Sequence, residues 1–259
     1  LFENNKKVSV ENPLAVKRFI QMGLSKIKTD KSDSKLICAY AEQVELKLWK
    51  GSSKEAQESL QITRALSVYT KQRTMLKNKL HGESVLGEPS KAVVRSLKRS
   101  LRQLDKEVKT LEDKLLLLVK ESHQDLFTRI KTIPGISRKT AIMLIVLTGG
   151  FERFSSASEL CSYAGLTPMI RQSGSSVKGR PRISKMGNQK LRNLLVMCSF
   201  TACKYNKACR DLYERIVAKG KSKKLALIAV CNKRLKQAFA IAKSGLIFDN
   251  EYKSTLAKN

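Results

Sequence analysis

The residues best placed to do chemistry lie in one short stretch, Gln172-Ser173-Gly174-Ser175-Ser176-Val177-Lys178-Gly179-Arg180-Pro181-Arg182. Hydroxyls set among cations can bind a phosphate or attack one. The neighbouring sequence sharpens that chemistry. No acidic residue intervenes between Glu159 and Asp211, while Arg171, Lys178, Arg180, Arg182, Lys185, Lys190, Arg192, Lys204, Lys207 and Arg210 are all basic. A solvated face ordinarily mixes both signs, so a run of one sign marks a polyanion site. Just beyond the loop, Ile183-Ser184-Lys185-Met186-Gly187-Asn188 leads into an amphipathic helix, whose start suits Lys185, Asn188, Lys190 and Arg192 to a nucleic-acid backbone.

Other chemistries find less support. The six cysteines form no Cys-x-x-Cys pair and the two histidines, His81 and His123, lie far from them in sequence, which argues against structural zinc and against a thiol nucleophile with a base beside it. Gly220-Lys221-Ser222 is no phosphate-binding loop, because Arg215 stands where the upstream glycine is required. The whole chain carries 51 Lys plus Arg against 22 Asp plus Glu, a net charge of +29, which excludes an ordinary neutral enzyme. Its 42% hydrophobic content is enough for a buried core, and no apolar run reaches the ~18 residues of a membrane span.

The elements that must carry these residues change along the chain. Lys6 to Pro13 reads as a strand entering a turn, with partner strands expected upstream of Leu1 or on another chain, since one strand makes no sheet. Leu14, Val16, Phe19, Ile20 and Met22 predict a helix ending near Gly23, and a second helix is predicted from around Asp33 toward Trp49. Val94, Leu97, Leu101, Leu104, Val108, Leu111, Leu115 and Leu118 then alternate spacings of three and four, the seam of a coiled coil. Ile62, Leu66, Tyr69, Leu76 and Leu80 form a weaker seam interrupted by Arg73, and His81 to Pro89 reads as the break between two arms. The product is an antiparallel helical hairpin, either an internal strut or a dimerisation arm, the second favoured by the long regular seam.

From Leu126 to Ala141 the order is helix, Thr132-Ile133-Pro134-Gly135-Ile136 turn, helix, similar to the helix-hairpin-helix of DNA-binding proteins. There Gly135 would let the backbone approach a phosphate, with Arg138 and Lys139 adding charge; the alternative is a turn used for packing. Ser156-Ala157-Ser158-Glu159 is a capping box opening a short helix that ends around Ala164-Gly165.

Taken together, Ile133-Pro134-Gly135-Ile136, the run Leu160 to Pro168, Gln172-Ser173-Gly174 and the run Ile183 to Arg192 resemble the C-terminal domain of the DEDD-type insertion-sequence transposases. That family includes bridge-RNA-guided serine recombinases and is related to Piv-like DNA invertases. Lys28-Thr29-Asp30-Lys31-Ser32-Asp33 is similar to its second acidic pair, which closes a RuvC-like nuclease fold. The resemblance covers nearly the whole chain.

It implies a mainly α protein: residues 1–50 as the C-terminal remnant of a RuvC-like DEDD domain, 51–125 as the coiled-coil hairpin, and 126–259 as an all-helical transposase domain with the helix-hairpin-helix and a flexible serine loop. It makes Ser173 the nucleophile that joins to DNA, with Ser175 and Ser176 as alternatives. Asp30 and Asp33 become carboxylates that hold a divalent metal, Mg2+; read from their position alone, the preferred explanation is Asp30 capping a helix. Arg171, Lys178, Arg180 and Arg182 would neutralise charge developing on the phosphate. The implied partners are DNA of element ends and target and a second copy or more through the coiled coil, as homodimer or tetramer, with RNA guidance left open. A bacterial cytoplasmic, nucleoid-associated location is expected. The family's first Asp and its Glu precede the segment matching Val8 to Val10, so the chain is expected to be the later part of a longer transposase, holding half of the acidic site. Two other readings compete: a non-catalytic DNA- or RNA-binding protein, and an inactive remnant of a mobile element.

Overall fold

The computed structural model describes residues 4, 6–23, 29–49, 51–170, 172–173, 177–179 and 182–250. They divide into two units, Leu1–Ser53 and Lys54–Asn259.

In the first unit, Asn12 caps helix α1 (Pro13–Met22), its Oδ1 accepting from the Leu14 N–H at 3.0 Å. Pro13 sits at the first helical position, where its missing N–H costs nothing. Helix α2 (Asp30–Gln43) stops well short of Trp49. The reason is legible in Val44-Glu45-Leu46-Lys47-Leu48, whose alternation has the period of a strand. Leu48 makes an antiparallel bridge with Ser9, and the Trp49 N–H donates to the Val8 carbonyl at 2.7 Å. The Val8–Ser9 segment thus finds a partner within this chain, which corrects the expectation that one must come from upstream or from another molecule. Phe19 of α1 meets Tyr40 of α2 edge to face, with ring centroids 5.2 Å apart.

The second unit begins with a helical hairpin, α3 (Lys54–Val85) against α4 (Lys91–Lys131). At 32 residues, α3 is about 48 Å long. The helix runs through His81-Gly82-Glu83-Ser84, which the sequence reading assigned to the break, so the connection shrinks to Leu86–Ser90. Local bonds hold that last turn: Lys79 pairs with Glu83 at 2.6 Å, and the Ser84 hydroxyl donates to the His81 carbonyl at 2.6 Å. The α4 seam is met by α3 of the same chain, and Arg73, which interrupts the weaker seam, pairs with Asp105 across the hairpin at 2.5 Å. Toward the body the seam closes fully, with Leu115 and Leu118 buried against Ile62 and Leu66. At His123 the backbone leaves helical values (φ −144°, ψ 41°), and α4 resumes to deliver Leu126, Phe127 and Ile130 to the core.

Helix α5 (Arg138–Thr148) is the centre of this unit. Its residues from Thr140 to Thr148 are buried apart from Met143, which is half-buried, so it is apolar all round, as a fully surrounded helix must be. It is packed by α3, α4 and α7 (Gln189–Tyr205), while α9 (Lys223–Ser244) packs against α4, α6 (Ala157–Tyr163), α7 and α8 (Lys207–Ala218). Ile130, Ile133, Leu144, Ile145, Leu160, Leu191, Leu195 and Leu235 are buried in the core, each contributing roughly 1.5–3 kcal/mol. The fold is mainly α, as expected. The last domain is not all helical, however: β1 (Pro168–Met169) pairs with β4 (Arg182–Ile183), and β2 (Gln172–Ser173) with β3 (Val177–Lys178), all antiparallel. Strands of two residues are too short to leave a period-two signal in the sequence. Among the described residues no helix is long and apolar enough to cross a membrane.

Candidate strand-transfer site on a β hairpin

Ser173 is exposed and occupies the last paired position of β2, opposite Val177 of β3. Within the expected flexible loop, residues 172–173 and 177–178 thus pair as antiparallel strands. Pro168 pairs with Ile183 and Met169 with Arg182, whereas Gln172 pairs with Lys178 and Ser173 with Val177. Arg171, Ser175, Ser176 and Arg180 lie outside the described residues, as does the side chain of Lys178. Arg182 on β4 and Lys185 just after it are exposed, and Lys185 takes a left-handed conformation (φ +56°) that is uncommon for a lysine.

The root of this hairpin is locked by residues that sequence reasoning had assigned elsewhere or had missed. The Ser184 N–H donates to the Thr167 carbonyl at 3.0 Å, and the Asn188 N–H to the Tyr163 carbonyl at 2.7 Å. Asn188 also caps α7, its Oδ1 accepting from the Leu191 N–H at 3.0 Å, while its Nδ2 donates to the Tyr163 hydroxyl at 3.0 Å. Arg192 donates from Nη1 to the Ala164 carbonyl at 2.8 Å. Both residues, expected to hold a nucleic-acid backbone, are therefore engaged within the protein. Gly165 (φ +69°) and Gly187 (φ +126°) allow the close approach: a Cβ on Gly165 would stand 2.6 Å from Arg192 Nη1, and one on Gly187 would strike the Tyr163 carbonyl oxygen. Tyr163 is itself held, with the Arg153 guanidinium 4.4 Å over its ring. The only sequence trace of this lock is the pair of glycines in Ala164-Gly165 and Gly187-Asn188. Lys190, one residue into α7, is exposed.

The helix–turn–helix at Pro134-Gly135 has a similar inward character. Gly135 (φ +86°) lies against α7, where a Cβ would stand 3.0 Å from the Ala202 backbone nitrogen. Ser137 caps α5, accepting from the Thr140 N–H, and Arg138 and Lys139 pair with Asp113 (3.5 Å) and Glu112 on α4. The turn thus packs against α7, and its two exposed cations have carboxylate partners.

In the other unit, Thr29 rather than Asp30 caps α2. The Thr29 hydroxyl accepts from the Ser32 N–H at 3.1 Å, and the Thr29 N–H donates to the Ser32 hydroxyl at 2.9 Å. Asp30 is exposed and Asp33 half-buried, one helical turn apart on a shared face in the first turn, where the helix dipole favours negative charge. Two carboxylates on one face suit Mg2+, which commonly takes one or two from protein and completes its shell with water and phosphate. Among the described residues no third acidic, cysteine or histidine side chain joins them.

The buried cysteines are poor nucleophiles here. Burial pushes the thiols of Cys209 and Cys231 up to about 11, and raises those of Cys161 and Cys198 as well. Cys198 and Cys209 lie beside Arg234 on α9, a guanidinium only 1% exposed whose pKa burial lowers.

The basic helical domain carries an exposed serine on a paired strand, and the other unit a carboxylate pair on one helix face. Comparison with known proteins shows the class. The model of the transposase IS116/IS110/IS902 family matches residues 127–214, and a transposase model of the IS110 DEDD type matches residues 1–86. The pilin gene-inverting protein of Moraxella lacunata is 30% identical over 248 residues, spanning 94% of this chain and 74% of that protein. An IS110 insertion-element protein of Streptomyces coelicolor is 31% identical over 158 residues, 61% of this chain and 38% of its own length. The transposase of element IS1111A from Coxiella burnetii is 22% identical over 254 residues, 86% and 67% of the two chains. The chain belongs to the IS116/IS110/IS902 family of transposases, enzymes that cut and rejoin DNA.

Proposed function

We propose that the chain is a transposase or site-specific recombinase of an insertion sequence that exchanges DNA strands through Ser173. The observation that carries this reading is an exposed serine at the last paired position of a hairpin, in a stretch from Glu159 to Asp211 that has cations and no acid. The Ser173 Oγ attacks a DNA phosphorus; an Oγ–P bond forms as one ester P–O bond breaks. The serine proton passes to solvent or a base, and the departing sugar oxygen gains one. Because one ester replaces another, the bond energy is kept and rejoining needs no nucleotide hydrolysis. Arg182 and Lys185, with Arg171, Lys178 and Arg180, neutralise the charge that builds on the phosphate, and Lys190 holds the neighbouring backbone. Asp30 and Asp33 would hold a divalent ion, Mg2+, whose chemistry is to polarise a phosphoryl oxygen. In this reading the protein works in the bacterial cytoplasm on element ends and target DNA, as a homodimer or tetramer, and it can work with a guide RNA.

The test is a denaturing gel of the protein incubated with labelled element-end DNA and Mg2+. A covalent protein–DNA band that Ser173→Ala abolishes, with duplex affinity unchanged, is the expected result. A band that survives in Ser173→Ala moves the nucleophile to Ser175 or Ser176. No band from the unmodified chain beside intact DNA binding favours a binding protein or an inactive remnant.

A further inference from the structure

Helix α7 buries Leu191, Leu195, Cys198, Ser199 and Ala202, and the helical period sets Asn193, Met197, Phe200 and Lys204 on the opposite side. A surface helix ordinarily fills that side with polar groups. Here Met197 is 69% and Phe200 52% exposed, and Tyr205 at the helix end is 67% exposed. The charged residues of α7 are all cations: Lys190 and Lys204, both exposed, and Arg192, which is tied to Ala164. The outer face is therefore an aromatic ring and a flexible thioether between two lysines, with no carboxylate on the helix.

We propose that this face binds unpaired nucleic acid, with a base stacked on Phe200, Met197 packed beside it, and the flanking phosphates drawn to Lys190 and Lys204. A duplex, whose rings are stacked on each other, offers its phosphates to lysines but no ring to a phenylalanine; an unpaired strand offers both. A partner helix is less well matched, because the apolar stripe is two residues long and bounded by Asn193 and Lys204, too narrow for a helix-binding groove. The inference rests on the nucleic-acid reading of the preceding section and adds the strand state that this face selects. It does not depend on the chemistry of Ser173.

The test uses the full chain and two fluorescent probes, an oligothymidylate and a hairpin duplex, titrated at fixed salt. Phe200→Ala is expected to weaken the single strand about tenfold, the loss typical of one stacked base, and to leave duplex affinity and the melting temperature unchanged. Phe200→Trp is expected to restore single-strand affinity and to show indole quenching with the oligothymidylate but not with the duplex. Equal affinity of Phe200→Ala and the unmodified chain for the single strand overturns the proposal, as does an equal loss on both probes. A change of molar mass in light scattering for Phe200→Ala, with binding intact, assigns the face to a protein contact and overturns it too. If the unmodified chain binds neither probe, the nucleic-acid reading itself fails; duplex binding without any effect at Phe200 removes this inference alone.

Discussion

Arg192 Nη1 donates to the Ala164 carbonyl oxygen at 2.8 Å, so a cation at the start of α7 is spent on holding the turn that follows α6. Lys190, two residues earlier, is exposed. The two should therefore fail differently. Arg192→Ala leaves a carbonyl short of its donor and should lower stability by about 1–3 kcal/mol in urea unfolding. Lys190→Ala should leave the unfolding midpoint in place and reduce the salt slope of DNA binding by about one. A reversed pattern would return Arg192 to the nucleic-acid surface.

Two glycines of opposite character test the backbone. Gly187, at φ +126° with the Tyr163 carbonyl in its path, should tolerate no side chain, and Gly187→Ala should cost about 3 kcal/mol. Gly82 lies inside α3 with nothing within 4 Å of where a Cβ would stand, so Gly82→Ala should raise stability by about 0.5–1 kcal/mol. Chemical denaturation of both variants checks the pair, and a neutral Gly187→Ala would count against the lock at the hairpin root.

Arg138 and Lys139 have acidic partners on α4, which alters what charge removal does. Both pairs are well exposed, so each contributes only ~0–1 kcal/mol to folding. Their larger effect is to mask two positive charges. Glu112→Gln with Asp113→Asn should tighten nonspecific DNA binding at low salt and change the melting temperature little. Unaltered affinity would mean that these lysine and arginine positions face away from the bound polyanion.

The buried thiols set a pH limit. Cys209 and Cys231 titrate at about 11 in the fold against an ordinary 9.0. Between those values the unfolded chain has released protons that the folded one keeps, so the folded state is progressively disfavoured as pH rises from 9 to 11. Below pH 9 both states keep the proton and the effect is absent. Urea midpoints measured from pH 8 to 10.5 should fall less steeply for the double variant Cys209→Ala, Cys231→Ala than for the unmodified chain.

Much of the helical architecture could be read in advance because its causes are local. The seam from Val94 to Leu118, the Asn12-Pro13 helix start and the Ser156–Glu159 cap each lie within a few residues of what they determine. What escaped depends on distant partners. Val44 to Leu48 alternates like a strand, yet only its meeting with Ser9 decides against a longer helix. That Arg138 and Lys139 have Asp113 and Glu112 as partners depends on another helix and left no local trace. Asn188 and Arg192 bear the family motif, but their contacts with Tyr163 and Ala164 cross a hairpin whose strands are too short to foresee. At the site itself, charged surroundings singled out the stretch of hydroxyls, the family resemblance picked Ser173 from among Ser173, Ser175 and Ser176, and its pairing opposite Val177 came only from the fold.

The non-helical residue within α4 has a consequence for how such a chain can diversify. An uninterrupted helix would transmit every inserted or deleted residue as a rotation of about 100° into the apolar face that α4 presents to α5 and α9. Because seven residues bring an α-helix back to within about 20° of its starting phase, the arm can be lengthened or shortened by whole heptads without turning Phe127 and Ile130 out of the core, and the non-helical residue His123 lies at the joint between arm and core. Arm length is thereby a heritable variable separate from the architecture that holds the serine. Relatives are expected to differ in it by multiples of seven while keeping the helices on the far side of the joint unchanged.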